Sequence, residues 1–203
     1  MRSSLATDLT RVKTYYDETF KDWGHSVDAL SWEDKKKQWL RFQVLSTVIP
    51  DEPCSLLDVG CGFGDLQQFL TEQKFSQVTY TGIDVMKPFI DIARKRFPNG
   101  NFIEGDFHTL QQDFDVVLAS GPFSLKEADN EAMIRRAIDA LWRRTRKALA
   151  FNLLSNKASE RLRFDDYYFY DPAAMLAYAR TLTPKVQLRE DYLQVEFALF
   201  MER

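Results

Sequence analysis

Hydrophobic and polar positions alternate in blocks along the 203-residue chain, and the blocks define a sequence of elements. The apolar run at Leu56, Leu57 and Val59 suits a strand buried on both faces, and it breaks into glycines at 60, 62 and 64. From Phe63 to Gln73 the period changes to helical, with Leu66, Phe69 and Leu70 on one face. The same rhythm recurs downstream. Strands are predicted at Val78 to Val85, Asn101 to Glu104, Phe114 to Ala119 and Ala148 to Leu154, with helices at Lys87 to Phe97 and Asp129 to Lys147. Asp171-Pro172 is an N-cap and first-turn pair that opens a helix to about Thr181. Lys185 to Arg189 and Val195 to Met201 read as two strands joined by about five residues, too few for a crossover helix, so they form an antiparallel hairpin. Strands alternating with helices predict an α/β fold with a mostly parallel sheet.

Upstream of the glycines, Trp39, Phe42, Leu45 and Ile49 are spaced as in a helix over Ser31 to Ile49, with Ser31 and Asp34 as a capping-box variant and Pro50 as its stop. Residues 8–30 carry Tyr15, Tyr16, Phe20, Trp23 and His25 without a clean period, and read as an irregular segment packed on a surface or capping a pocket. Ser155 to Tyr170, with Tyr167, Tyr168, Phe169 and Tyr170, is a second long stretch without a pattern. No repeat or linker divides the chain. The expected organisation is a single domain over residues 1–203, with an N-terminal lid and helix (1–50) ahead of a core (51–203).

A chain of this length buries about 70% of its unfolded surface and needs no staples. Its hydrophobic share of 45% and mean hydropathy of −0.37 place it among globular proteins. No apolar run approaches the roughly 20 residues of a spanning helix, and MRSSLATDLTRVK lacks an apolar stretch of signal-peptide length. A cytoplasmic location is therefore expected, without membrane partners. Cys54 and Cys61 are too few for a disulfide framework or a zinc site, and no metal is expected. A net charge of −3 gives no overall attraction for nucleic acid, and the basic clusters at Lys35-Lys36-Lys37 and Arg135 to Lys147 read as solvated helix faces.

The candidate chemistry lies at the predicted strand ends. The motif Asp58-x-Gly60-x-Gly62-x-Gly64 lets the chain turn sharply and lets a ligand approach without an intervening Cβ, with the N–H groups of the next helix start as donors. A dinucleotide fingerprint would need glycine at position 65, which is Asp65, and no Gly-Lys-Ser/Thr of a phosphate loop follows. Asp84, 20 residues past Gly64, stands where an acid reaches ribose hydroxyls. Asp106-Phe107 follows the third strand and Ser120-Gly121-Pro122-Phe123 the fourth. In an open α/β sheet these ends converge on one crevice.

The glycine spacing resembles motif I of the class I S-adenosylmethionine-dependent methyltransferases. The element order, ending in an antiparallel hairpin, is similar to that whole fold, a Rossmann-like seven-stranded sheet with helices on both faces. Stretches such as YYDETFKDWG, SWEDKKKQWLRF, LASGPFSLK, AFNLLS, YYFYDP and LREDYLQVEFALF look like a subfamily of small bacterial methyltransferases. The resemblance implies S-adenosylmethionine as cofactor, with Gly60, Cys61, Gly62 and Gly64 near its methionine part. Asp84 would hold the ribose and Asp106 the adenine amino group, with Phe107 beside the ring. Asp58, Val85 and Ala119 complete the implied cofactor site, and the planar guanidinium of Arg41 would approach the methionine carboxylate.

Methyl transfer from a sulfonium needs mainly an in-line acceptor, and a base only for a protonated or weakly acidic one. Candidate bases are His25, His108, Tyr16, Tyr167, Tyr168, Tyr170 and Asp165-Asp166. Methyltransferases acting on planar amines carry Asn/Asp/Ser-Pro-Pro-Tyr/Phe after the fourth strand, and this chain has Gly121 in place of the first proline, so that specificity is a minority reading. A small-molecule acceptor is expected, in a pocket between residues 15–32 and 155–170 with 120–123 as floor. The alternatives are a nucleic-acid or protein N-methyltransferase, and a binding module that keeps the fold without the reaction. Oligomeric state is not readable.

Overall fold

The structure, a computed structural model, describes residues 9–24 and 35–203. Seven strands form one sheet in the order β3-β2-β1-β4-β5-β7-β6: β1 Cys54–Val59, β2 Val78–Asp84, β3 Asn101–Glu104, β4 Phe114–Ser120, β5 Thr145–Leu154, β6 Val186–Arg189 and β7 Glu196–Glu202. The first five are parallel, and β7 lies antiparallel between β5 and β6. The C-terminal hairpin is thus as expected, and strand order reverses at the β1/β4 boundary, where ligands of open α/β sheets bind.

Among the described residues six α-helices accompany the sheet: α1 Thr10–Trp23, α2 Lys35–Leu45, α3 Asp65–Glu72, α4 Lys87–Arg96, α5 Asn130–Arg143 and α6 Pro172–Arg180. The pleat divides the core. Leu57, Val59, Val117, Leu149 and Phe151 pack with Ile134, Ile138 and Leu141 of α5 and Met175 of α6. Leu56, Val116, Leu118 and Ala150 pack on the other face with Phe42 and Leu45 of α2, Leu66 and Phe69 of α3 and Ile90 of α4. Burying both faces explains the near-continuous apolar strands.

Three boundaries differ from the sequence reading. Residues 10–23 are helical, because Val12, Tyr16 and Phe20 recur every fourth residue and put one stripe onto the body of the protein. The helix expected to reach Lys147 stops at Arg143, and β5 begins at Thr145. Thr145 Oγ1 donates to Leu141 O and Arg146 Nη2 to Asp113 O, so the polar TRK segment is held as strand by its neighbours. The helix expected over Ser31 to Ile49 is described from Lys35, and ends in a 3-10 turn at Ser46–Val48. Its proposed cap, Ser31 and Asp34, lies outside the described residues, as do His25 and Trp32.

Candidate functional site

At the C-terminal ends of β1 to β4 lies a cavity of about 680 Å³. Its floor is the glycine loop. Gly60, Gly62 and Gly64 have φ of 71°, 53° and 79°, the left-handed region where a side chain is strained. A Cβ on Gly60 would also stand 2.7 Å from Pro122 Cβ, so glycine is required for the β1 and β4 loops to close on each other. The loop's amides are committed within the protein. Gly60 and Cys61 N–H donate to Ile83 O, Gly64 N–H to Cys61 O, and Gly62 N–H to Asp84 Oδ2 at 2.9 Å. The Asp84 carboxylate also accepts from Met86 N–H at 2.9 Å, so it ties the end of β2 to the glycine loop.

Both acids on the cavity floor are buried. Burial pushes the Asp58 carboxyl up to about 7, although Tyr80 Oη donates to it at 2.6 Å, and Asp84 up to about 6 against the opposing pull of the Met86, Gly62 and Val85 amides. Asp106 caps the 3-10 turn Phe107–Thr109, accepting from the His108 backbone N–H, with His108 Nδ1 at 2.8 Å. Phe107 stacks on His108 and meets the edge of Phe123.

The rest of the wall comes from α1 and the segment after β4. Leu9, Val12 and Tyr16 line the cavity against Ser120, Pro122, Phe123 and Leu125. Tyr16 and Phe20 pack on Phe89, and Phe20 on Phe63. Tyr15 Oη hydrogen-bonds Tyr167 Oη at 2.9 Å, and Leu125 bridges Tyr167. The helix and the 155–170 stretch are thereby joined over the β4 end. Burial raises the Tyr16 phenol far above its usual range, so it stays a hydrogen-bond donor. Tyr170 is fully buried, its Oη donating to Phe123 O, and Tyr168 Oη donates to Glu131, so those hydroxyls have structural duties.

Of the residues implied by resemblance, Asp58, Gly60, Cys61, Gly62, Asp84, Val85, Asp106 and Phe107 all line this one cavity. Three do not. Arg41 is buried rather than on the surface, donates from Nε to both oxygens of Glu196 at 2.9 and 2.8 Å, and is not among the residues that line the cavity; Asp34, its other expected neighbour, lies outside the described residues. Gly64 is the N-cap of α3 and packs under Phe97 and Phe102. Ala119 faces the core, and the next residue, Ser120, forms the wall. Gln38 lines the cavity unexpectedly. Its signal was a polar residue on the buried stripe Gln38, Arg41, Phe42, Leu45 of α2, at i, i+3, i+4 and i+7.

Two buried polar atoms at the wall, Gln38 Oε1 and Ser120 Oγ, take no hydrogen bond, as a ligand-binding surface built for polar contacts would leave them. Among the described residues no cluster of three or more His, Cys, Asp or Glu is arranged to hold a metal ion. No helix among them is long and apolar enough to cross a membrane.

Comparison with known proteins accounts for this arrangement. A family model described as "Methyltransferase domain" matches residues 56–144. A Mycobacterium tuberculosis protein named "Putative methyltransferase Rv1506c" is 32% identical over 160 residues, which cover 75% of this chain and 95% of that one. The chain belongs to the class I S-adenosylmethionine-dependent methyltransferases. A malonyl-[acyl-carrier protein] O-methyltransferase of Halalkalibacterium halodurans is 26% identical over 60% of this chain and 49% of its own length, about half of that relative. In fold, this methyltransferase is similar to the crystal structure of magnesium protoporphyrin IX methyltransferase (ChlM) from Synechocystis PCC 6803 with bound SAM. The TM-score is 0.68, at 15% identity, covering 99% of both chains. The matched family segment runs from β1 to the end of α5, and so contains the glycine loop, Asp84, Asp106 and Ser120, but neither α1 nor the 155–170 stretch.

Proposed function

We propose that this methyltransferase acts on a small, partly apolar acceptor held between α1 and the Ser120–Leu125 segment. The observation that carries the reading is the continuity of one cavity. The acids and glycines of β1 to β3 share its lining with Leu9, Val12, Tyr16, Pro122 and Leu125. The residues present fit S-adenosylmethionine: a side-chain-free floor at Gly60 and Gly62, carboxylates at the ends of β2 and β3, and apolar flanks in Val85 and Phe107. Asp58, Cys61 and these residues would hold it, with Asp84 toward the ribose and Asp106 toward the adenine.

When bound, the cofactor supplies a sulfonium methyl group whose leaving group departs without assistance. The protein's part is then orientation and exclusion of water. Asp84, fixed by two backbone amides, presents a carboxylate whose direction is set before any ligand arrives. Tyr16, held protonated by burial, offers a donor on the acceptor side, and Ser120 Oγ an uncommitted hydroxyl beneath it. Helix α1, latched through Tyr15 and Tyr167, would act with residues 155–170 as a lid.

Calorimetry with S-adenosylhomocysteine and with NAD tests the cofactor assignment, and binding of NAD in preference would overturn it. Incubation of a metabolite extract with methyl-labelled cofactor tests the acceptor class. Label appearing in low-mass product supports the reading, and label confined to protein or nucleic acid rejects it.

A further inference from the structure

Gln38 occupies a position that no part of the family pattern assigns, and its chemistry is constrained from two sides. It lies on the buried face of α2 at 2% exposure, where a polar side chain is retained only if its groups have partners. Nε2 has one: it donates to Asp65 Oδ2 at 3.2 Å. The other oxygen of that carboxylate accepts from Arg96 Nη1 at 2.7 Å. Asp65 is thus an acceptor on both oxygens, and the Gln38 amide can face it only through its NH2 group. The orientation of the amide is therefore set by charge, and Oε1 is left as a buried acceptor without a donor, on a residue that lines the cavity.

What donor belongs there follows from the side of the sheet that α2 covers. The helix packs across β4, β5 and β7 and touches α3, whereas Asp84 and Asp106 stand at the ends of β2 and β3 on the other side of β1. With the ribose and adenine given to that far side, the donor remaining for the β1/β4 side is the cofactor's ammonium group. We propose that Gln38 Oε1 accepts a hydrogen bond from the α-ammonium of the cofactor's methionine end, with Arg96 and Asp65 as the pair that positions it. The inference rests on the cofactor reading above, and makes Gln38 a cofactor-binding residue contributed by the helix before the glycine loop. Arg41, one turn further on, donates from Nε to Glu196.

The test is calorimetric and needs no acceptor. S-adenosylhomocysteine and its deaminated analogue, which lacks only the amino group, are titrated into wild type and into Gln38→Met, which keeps the side chain's length and removes its acceptor. A hydrogen bond to a charged donor corresponds to about a tenfold change in affinity or more. Wild type should therefore prefer S-adenosylhomocysteine over the analogue by about tenfold, and the variant should bind S-adenosylhomocysteine about tenfold more weakly while binding the analogue as wild type does. Equal affinity of wild type for the two ligands overturns the inference, whether or not the variant folds. So does a parallel loss for both ligands in the variant, which would mark Gln38 as structural. If wild type binds neither ligand, the cofactor reading itself falls and the inference with it.

Discussion

At the Asp84 end of the cavity, the ends of β1 and β2 are tied by backbone amides that converge on Ile83 O and on one carboxylate, and Gly60 leaves no room for a side chain. At the α1 wall, a helix and a long loop meet through the ring edges of Tyr15 and Tyr167 and a bond between their hydroxyls. The first end is fixed by the sheet. The second is assembled from side chains on elements that owe the sheet little. An enzyme class with one cofactor and many acceptors needs this division, because side-chain walls can be exchanged without disturbing the strand ends.

The contrast can be broken by substitution, and the largest effect should come from the glycine floor. Gly60→Ala places a Cβ against Pro122 in a left-handed backbone. It should cost about 2–4 kcal/mol of stability and remove S-adenosylhomocysteine binding, read by thermal melting and calorimetry. If the variant is as stable as wild type, the two loops are not locked together.

Asp84→Ala should follow, weakening S-adenosylhomocysteine by ten- to a hundredfold, on the order of 1.5–3 kcal/mol. From the sequence, Asp84 reads as facing the crevice, with a cap on the next helix as the alternative. Because Asp84 also accepts from Gly62 and Met86 N–H, the variant should lose about 1–3 kcal/mol of stability as well, seen as a lower but still cooperative melt.

The third effect is pH dependence of the ligand-free protein. Asp58 and Asp84 have folded values of about 7 and about 6, above their ordinary carboxyl values. The folded state therefore binds more protons than the unfolded state between about pH 4 and 7. Stability from these groups is complete below about pH 4 and is lost as pH rises through their folded values, by about a few kcal/mol for each group on an order-of-magnitude basis. Asp58→Asn keeps an acceptor for Tyr80 and should flatten this slope, melting higher than wild type at pH 8. An unchanged slope would show that Asp58 does not titrate in that window.

The smallest effect should be Tyr15→Phe, which removes one hydroxyl contact and about 0.5–1.5 kcal/mol. S-adenosylhomocysteine affinity should be unchanged, while hydrogen exchange in residues 10–23 rises. A fall in cofactor affinity instead would mean that the two ends are coupled.

The same division decides what was legible in the sequence. Glycine spacing and strand-end acids are local patterns, so the sheet and most of the floor could be read directly. Helix α1 was missed because its stripe of Val12, Tyr16 and Phe20 carries no fully buried residue, and its N-cap, Leu9, makes no side-chain cap. The Arg41–Glu196 pair was not legible because its partners stand 155 residues apart and no local spacing announces it. Gln38 was overlooked because a glutamine among lysines reads as surface until the helix is rotated to show it on the stripe with Phe42 and Leu45.

The Arg41–Glu196 pair has a bearing on synthesis. Glu196 opens β7, which follows β1 to β6 in chain order, and accepts from Arg41 Nε and from Asn152 Nδ2, whose Oδ1 in turn receives Gly121 N–H. Until β7 inserts between β5 and β6, a nascent chain with β1 to β5 in place would lack the Glu196 carboxylate that accepts from Arg41 Nε and from Asn152 Nδ2. Removing one partner of a buried ion pair costs about 3–5 kcal/mol. The pocket should therefore mature in a single late step rather than gradually along the chain, so that an incomplete polypeptide does not sequester the cofactor.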